Sequence, residues 1–231
     1  MTMRLDAALV EQGLLPSRTR AKNAVIAGLV SVDGEVVTKP SARVDPSTRL
    51  EVTPEGILPR GYRKLATIDG AWYFVQKEDI VLDLGSSAGG FILYCAPRCA
   101  HVYGIEVTDE FRPTLEGVRG RSANVSVTFA DAFTVDPSII TEGEPVTLVL
   151  NDLTADPIAS LGVTARFLPL LITGGRVLQV LKLGDGNEKE LEDLGRAALM
   201  EMGVAVEHIM RGEGKELYLL GRRAFDTQGE E

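Results

Sequence analysis

The sequence predicts an α/β protein: an open, mostly parallel seven-stranded sheet with helices on both faces, preceded by a small α+β module. Three observations carry this reading. Beyond residue 60, seven short apolar runs alternate with stretches of helical character. The first fifty residues hold a separate pattern of two helices followed by short strands. Between the two, the run Thr53-Pro54-Glu55-Gly56-Ile57-Leu58-Pro59-Arg60-Gly61 breaks both periodicities, which sets a boundary near residues 53–60. The expected division is 1–55, 60–224 and a polar, disordered tail at 225–231.

In the leading segment, Arg4 to Val10 has apolar residues at helical spacing and runs out at Gly13, a natural stop. Ser17 after Pro16 is a candidate N-cap for a second helix. Arg18, Arg20 and Lys22 lie on the polar face of that helix, with Ala21, Val25 and Leu29 facing a core. Alternation then replaces the helical period: Val30 and Val32, the pair Asp33-Gly34, then Val36, which is a hairpin signal. Turns at Lys39-Pro40 and Asp45-Pro46 precede a last strand with Leu50 and Val52.

In the body, the strands are expected at 80–84, 102–105, 125–129, 146–150, 176–181, 204–206 and 217–220. A sheet of this type binds ligands beyond the carboxyl ends of its strands. The loop there is Asp83-Leu84-Gly85-Ser86-Ser87-Ala88-Gly89-Gly90-Phe91. Its glycines allow close backbone approach, and the helix start that follows offers unpaired N–H groups. Glu106, ending the next strand, is suited to accept hydrogen bonds from two ribose hydroxyls, and Asp131, after the third, to meet an adenine amino group. The same geometry serves a dinucleotide, and a glycine turn also occurs for packing alone. No phosphate-loop lysine motif is present.

Composition bounds the class further. No apolar run reaches the roughly 18 to 20 residues that span a bilayer, and Asp6 interrupts any N-terminal leader, so the expected compartment is the cytoplasm. The net charge of −9 is uneven: residues 1–52 carry net +1 and the remainder −10. A local basic face can still meet phosphates. Cys95 and Cys99, four apart with no second Cys or His pair, read as small packing residues, so no metal is expected.

Two resemblances follow. The run over nearly all of positions 4–52, and most closely Ser17 to Pro40, resembles the S-four-type RNA-binding domain. The resemblance implies that Arg4, Arg18, Arg20, Lys22, Lys39 and Arg43 lie along an RNA backbone, where long cations supply affinity rather than sequence choice. The order Asp-Leu-Gly-x-x-x-Gly-Gly resembles motif I of S-adenosylmethionine-dependent methyltransferases. Residues 60–223 resemble the FtsJ-like RNA 2′-O-methyltransferases with a Rossmann-like fold, and the whole chain resembles the TlyA-type proteins that join the two modules.

That resemblance implies a Lys-Asp-Lys-Glu tetrad at Lys64, Asp152, Lys182 and Glu216, with S-adenosylmethionine held by Asp83, Gly85, Ser86, Ser87, Gly89, Gly90, Phe91, Glu106, Asp131 and Asp152. Lys182 is the candidate base or oxyanion stabiliser. As a base it needs a pKa lowered toward neutrality, with Lys64 as the cation that lowers it and the carboxylates as orienting groups. The implied partner is RNA, ribosomal RNA or a ribosomal subunit, with no membrane. Two departures stand out. Ser86-Ser87-Ala88 replaces the usual Ala-Pro or Ser-Thr type tripeptide, and Leu153-Thr154-Ala155-Asp156-Pro157 lacks the Ala-Pro-Asn that follows the tetrad aspartate in the housekeeping bacterial enzyme. The target nucleotide therefore does not carry over. Two rivals to the enzyme are a non-catalytic assembly factor that keeps the fold and a haemolysin-like membrane protein. Four converging charges argue against the first, and the missing apolar span or basic amphipathic helix against the second.

Overall fold

A computed structural model of the protein describes residues 2–184, 186–212 and 215–224. The tail at 225–231 lies outside the described residues. The chain divides into two units, Met1–Arg63 and Lys64–Glu231.

The first unit runs β1 (Met3–Arg4), α1 (Leu5–Glu11), α2 (Arg18–Ile26), β2 (Val30–Val32), β3 (Glu35–Val36), β4 (Arg43–Val44), β5 (Leu50–Val52) and α3 (Pro54–Ile57). The Ser17 hydroxyl caps α2 by accepting the Arg20 N–H at 3.3 Å. Asp33 and Gly34 both take positive φ, 51° and 89°, as a two-residue hairpin turn between β2 and β3 requires. Strand β2 is the centre of a three-stranded antiparallel sheet with β3 and β5. Leu5, Leu9, Leu15, Ala21, Val25, Val30 and Leu50 close the core. Leu29 departs from expectation: α2 stops at Ile26 and Gly28 turns the chain with φ +70°, so Leu29 lies beyond the helix and is only half-buried.

The second unit contains the seven-stranded sheet. After α4 (Arg60–Trp72), whose first four residues belong to the first unit, come β6 (Ile80–Leu84), α5 (Gly90–Cys95), β7 (His101–Glu106), α6 (Arg112–Arg119), β8 (Val125–Phe129), β9 (Val146–Asn151), α7 (Pro157–Phe167), β10 (Leu171–Lys182), α8 (Glu188–Glu201), β11 (Val204–Gly212) and β12 (Glu216–Arg223). The spatial order is β11-β12-β10-β9-β6-β7-β8. β6 to β10 pair in parallel, and β12 runs antiparallel to both its neighbours. The chain progresses outward in opposite directions from the β6–β9 pair, so a crevice opens at the carboxyl ends of those two strands.

Parallel strands covered on both faces read as continuous apolar runs, and Val81, Leu82, Leu84, Leu148, Val149 and Leu150 are all buried. Each such side chain contributes on the order of 1.5–3 kcal/mol. Phe167 of α7 is fully buried in the same core. Cys95 and Cys99 are free thiols, both buried. Among the described residues, no helix is long and apolar enough to cross a membrane.

Candidate active site

Four charged side chains converge where the strands end. Lys182 closes β10 and Glu216 opens β12, and the antiparallel register sets them directly opposite one another. Asp152 follows the last residue of β9, and Lys64 comes from α4. Lys64 Nζ contacts Asp152 Oδ2 at 2.6 Å and Glu216 Oε2 at 2.9 Å. Lys182 Nζ contacts the other oxygen of each, Asp152 Oδ1 at 2.5 Å and Glu216 Oε1 at 2.9 Å. Positive and negative groups thus alternate around a closed square. The Lys64 and Glu216 side chains are only 8% and 7% exposed, so this is a desolvated cluster in which each charge is stable only because the others are present.

The electrostatics reverse one expectation. Burial by itself lowers the Lys182 pKa, but Asp152 and Glu216 outweigh it, and the pKa ends above the ordinary lysine value. Lys182 is therefore held as an ammonium, and Lys64, whose charge the same carboxylates offset, does not lower it toward neutrality. Glu216, which burial alone would raise, is drawn down to about 2 by hydrogen bonds and charge from Lys182 and Lys64. Sequence reading missed one partner: the Tyr218 hydroxyl donates to Glu216 Oε2 at 3.0 Å. The signal was available, since residues two apart on a strand share a face.

Beside the square lies a cavity of about 270 Å³. Of the predicted ligand-binding residues, Gly85, Ser87, Glu106, Asp131 and Asp152 line it. Asp83, Ser86, Gly89, Gly90 and Phe91 do not; Ser86, Gly90 and Phe91 are buried around the turn, and Gly89 takes a left-handed φ of +74° to start α5. The backbone at Gly85 has φ +82°, and a Cβ there would lie 2.5 Å from the Leu153 side chain, so both conformation and space demand glycine. Glu106 is buried and braces the turn: its Oε2 accepts the Ser87 N–H at 2.6 Å and its Oε1 the Thr108 N–H at 2.7 Å. Each oxygen retains capacity for a further donor. The lining also includes Leu153, which packs against Gly85, and Phe111 and Phe133, which no sequence motif singled out. Arg166 of α7 holds the segment around Phe133 by donating to the carbonyls of Ala132 and of Val135, the latter at 2.7 Å.

Asp83 lies behind the turn with its Oδ2 buried and, among the described residues, without a hydrogen-bond partner. Burial pushes its pKa up to about 7, opposed by the Ser86 hydroxyl and reinforced by the charges of Asp152 and Glu106. Beneath Asp152, the fully buried Asn151 amide donates to the Ser160 carbonyl at 2.9 Å and to Thr164 Oγ1 at 2.8 Å, and its Oδ1 accepts the Leu153 N–H at 3.1 Å. Gln179 of β10 joins the network through Thr164 at 2.6 Å and Ser160 at 2.9 Å.

On the first unit, Arg4 and Arg18 both reach the buried carboxylate of Asp6, at 2.8 and 3.5 Å. Lys22, Lys39 and Arg43 are exposed, whereas Arg20 is half-buried.

Residues 3–50 match the family model of the S4 domain, and residues 57–224 that of the FtsJ-like methyltransferases. The chain is 38% identical over 90 residues to YqxC of Bacillus subtilis, named as a provisional rRNA methyltransferase, covering 38% of this chain and 32% of that protein. It is 35% identical over 108 residues to the 16S/23S rRNA (cytidine-2'-O)-methyltransferase TlyA of Mycobacterium tuberculosis, covering 45% of this chain and 40% of that one. The matched stretch is thus less than half the length of either curated relative. Among solved structures, a Streptococcus thermophilus protein provisionally named a hemolysin aligns with a TM-score of 0.65 at 22% identity, over 96% of this chain and 89% of that one. Aeropyrum pernix fibrillarin with natively bound S-adenosyl-L-methionine aligns with a TM-score of 0.56 at 17% identity, over 70% and 75%. At these identities the structural likeness speaks for the fold alone.

Proposed function

The chain belongs to the FtsJ-like methyltransferase family, and from that premise we propose that it methylates a ribose 2′-hydroxyl of RNA, ribosomal RNA being the substrate class. The methyl donor is S-adenosylmethionine. The observation that carries the reading is Asp152, which belongs both to the four-charge square and to the wall of the cavity. One residue thereby joins a place for a nucleoside to a place for a reacting hydroxyl.

The cavity suits an adenosyl group. The glycine turn at Gly85 admits close backbone approach, Glu106 offers acceptor oxygens for ribose hydroxyls, and Asp131 lies on the wall assigned to the base. When bound, S-adenosylmethionine supplies a methyl group already activated on a sulfonium, so the protein's work is largely positioning. A 2′-hydroxyl must shed its proton as its oxygen attacks in line. Of the two roles open to Lys182, its raised pKa favours the donor. Two of its three N–H groups are spent on Asp152 and Glu216, and the third stabilises the developing oxyanion. Asp152 accepts the hydroxyl's hydrogen bond and takes its proton as the oxygen attacks, and its partly exposed carboxyl then passes that proton to solvent. Lys64 and Glu216 orient Asp152 and Lys182 through the ion pairs of the square.

We assign residues 1–55 to holding RNA, through Arg4, Arg18, Arg20, Lys22, Lys39 and Arg43, and residues 60–224 to methyl transfer. The test is incubation with labelled S-adenosylmethionine and total RNA, followed by mapping of the methylated ribose. Lys182→Ala is expected to slow transfer by about 10²–10³-fold while cofactor and RNA affinities stay within about threefold. Full transfer by Lys182→Ala, or no label in any RNA fraction despite cofactor binding, would sink the proposal.

A further inference from the structure

We infer that Arg166, which does not border the cavity, is a positioning residue for the base of the methyl donor. It fixes the loop that carries Asp131 and Phe133 and thereby sets donor affinity. This rests on the methyltransferase reading above and deepens it, since Arg166 belongs to neither the square nor the glycine turn.

The loop needs an anchor. β8 is an edge strand, and among the described residues it pairs with β7 alone. Beyond its end at Phe129 the chain leaves the ladder, and residues 130–136 form neither helix nor strand. Four consecutive residues of that stretch, Ala130 to Phe133, line the cavity. Part of the stretch is closed from within. Asp131 Oδ1 accepts the Phe133 N–H at 2.9 Å, and the Asp131 carbonyl accepts the N–H groups of Thr134 and Val135 at 3.0 and 2.9 Å. The carbonyls of Ala132 and Val135 are both taken by Arg166, from a helix outside the loop.

One guanidinium thus spans the loop. Its planar fork holds two acceptors at a fixed separation, which a single-point donor does not. Phe133 is 43% exposed, an apolar ring beside a cavity that suits an adenosyl group. A loop fixed in this way presents that ring and the Asp131 carboxylate before the donor arrives, so less ordering free energy is lost on binding. The same helix has a second hold. Earlier on α7, the Ser160 carbonyl and the Thr164 hydroxyl accept from Asn151, which precedes Asp152 of the square. The two holds carry different kinetic signatures: loosening at Arg166 raises KM for the donor, whereas loosening at Asn151 lowers kcat.

The test uses the full chain. Arg166→Met keeps the side-chain length and removes every donor. Arg166→Lys keeps the charge and offers a point donor in place of the fork. Calorimetry gives affinities for S-adenosylmethionine, S-adenosylhomocysteine and S-inosylhomocysteine, the last with an oxygen in place of the adenine amino group. Methyl transfer to RNA gives kcat and KM. Arg166→Met is expected to bind S-adenosylmethionine about tenfold more weakly. Its kcat should stay within about threefold of the wild type, and its preference for the adenosyl over the inosyl ligand should shrink. Arg166→Lys should recover part of both losses. Hydrogen exchange should quicken at the Phe133 and Val135 amides while α7 keeps its protection. A residue that only stabilises the fold would leave the adenosyl-to-inosyl ratio unmoved. Wild-type affinity and ratio in a folded Arg166→Met variant therefore overturn the assignment and leave the methyltransferase reading standing. Should Arg166→Met not fold, Arg166→Lys decides: a reduced ratio supports the assignment and an unchanged one overturns it. A fall in kcat with KM unmoved would place the role of Arg166 at the square and also overturn it. No donor binding by the wild-type chain overturns the methyltransferase reading itself, and the role of Arg166 with it.

Discussion

At Lys182 the outcome depends on which neighbour prevails. Two carboxylates within 2.9 Å raise its pKa despite burial, and a lysine so held is a donor at neutral pH. Asp83 shows the opposite balance, since burial dominates and its pKa rises to about 7. A carboxyl whose folded pKa exceeds its unfolded value of 3.8 is most favourable when protonated. Its destabilising contribution is absent below about pH 3.8, grows as pH rises toward 7, and is complete above that. Asp83→Asn removes the charge while keeping the shape. In cofactor-free protein it should raise stability by up to about 4 kcal/mol at pH 8 and by little at pH 4. Denaturant unfolding at the two pH values measures this, and an equal gain at both would show that Asp83 ionises as an ordinary surface carboxylate does.

On the scale of elements, the buried amides tie three pieces together. Asn151 ends β9, Gln179 lies opposite it on β10, and both bond Ser160 and Thr164 of α7. The network holds the chain on either side of the square, since Asp152 follows Asn151 and Lys182 lies three residues beyond Gln179. Asn151→Ala leaves buried hydroxyl and amide groups unmatched and is expected to cost about 2–4 kcal/mol. The denaturant midpoint should fall with the m-value unchanged. If the network positions Asp152, kcat should fall more than KM rises; a loss of stability with normal kcat would limit Asn151 to a structural role. Little of this was legible. Asn151 reads as the polar end of an apolar strand, and nothing local links it to positions 160, 164 and 179. The strand limits were clearer where both faces are covered. β10 begins at Leu171 rather than 176; Ile172 to Gly174 is partly exposed and the register shifts between Leu171 and Arg176, so no continuous apolar run marks its start. β11 continues to Gly212 as an edge strand with exposed positions, where no apolar run marks it.

Across the whole molecule, the two units have separate cores of unequal size. A domain of about 60 residues buries too little surface to be more than marginally stable, so the first unit is the more sensitive to a single truncation. Leu9 is fully buried there. Leu9→Ala is expected to cost about 2.7–5 kcal/mol, enough to open that unit while the second stays folded. Hydrogen exchange should then show lost protection in α1, α2 and β2, with S-adenosylmethionine binding retained and RNA binding lost. Uniform loss of protection across both units would show that they unfold as one.

The sequence by itself determined the α/β class, the seven strands and the hairpin at Asp33-Gly34, which depend on local periodicity and turn chemistry written along the chain; the four charged residues were singled out through the family resemblance. Only the tertiary structure decided that Lys64, Asp152, Lys182 and Glu216 alternate in a closed square, because that follows from strand register and from a helix far away in sequence. It also decided the protonation of Lys182. A pKa is the balance of burial against charges brought together through space, and spacing along a chain does not contain that balance.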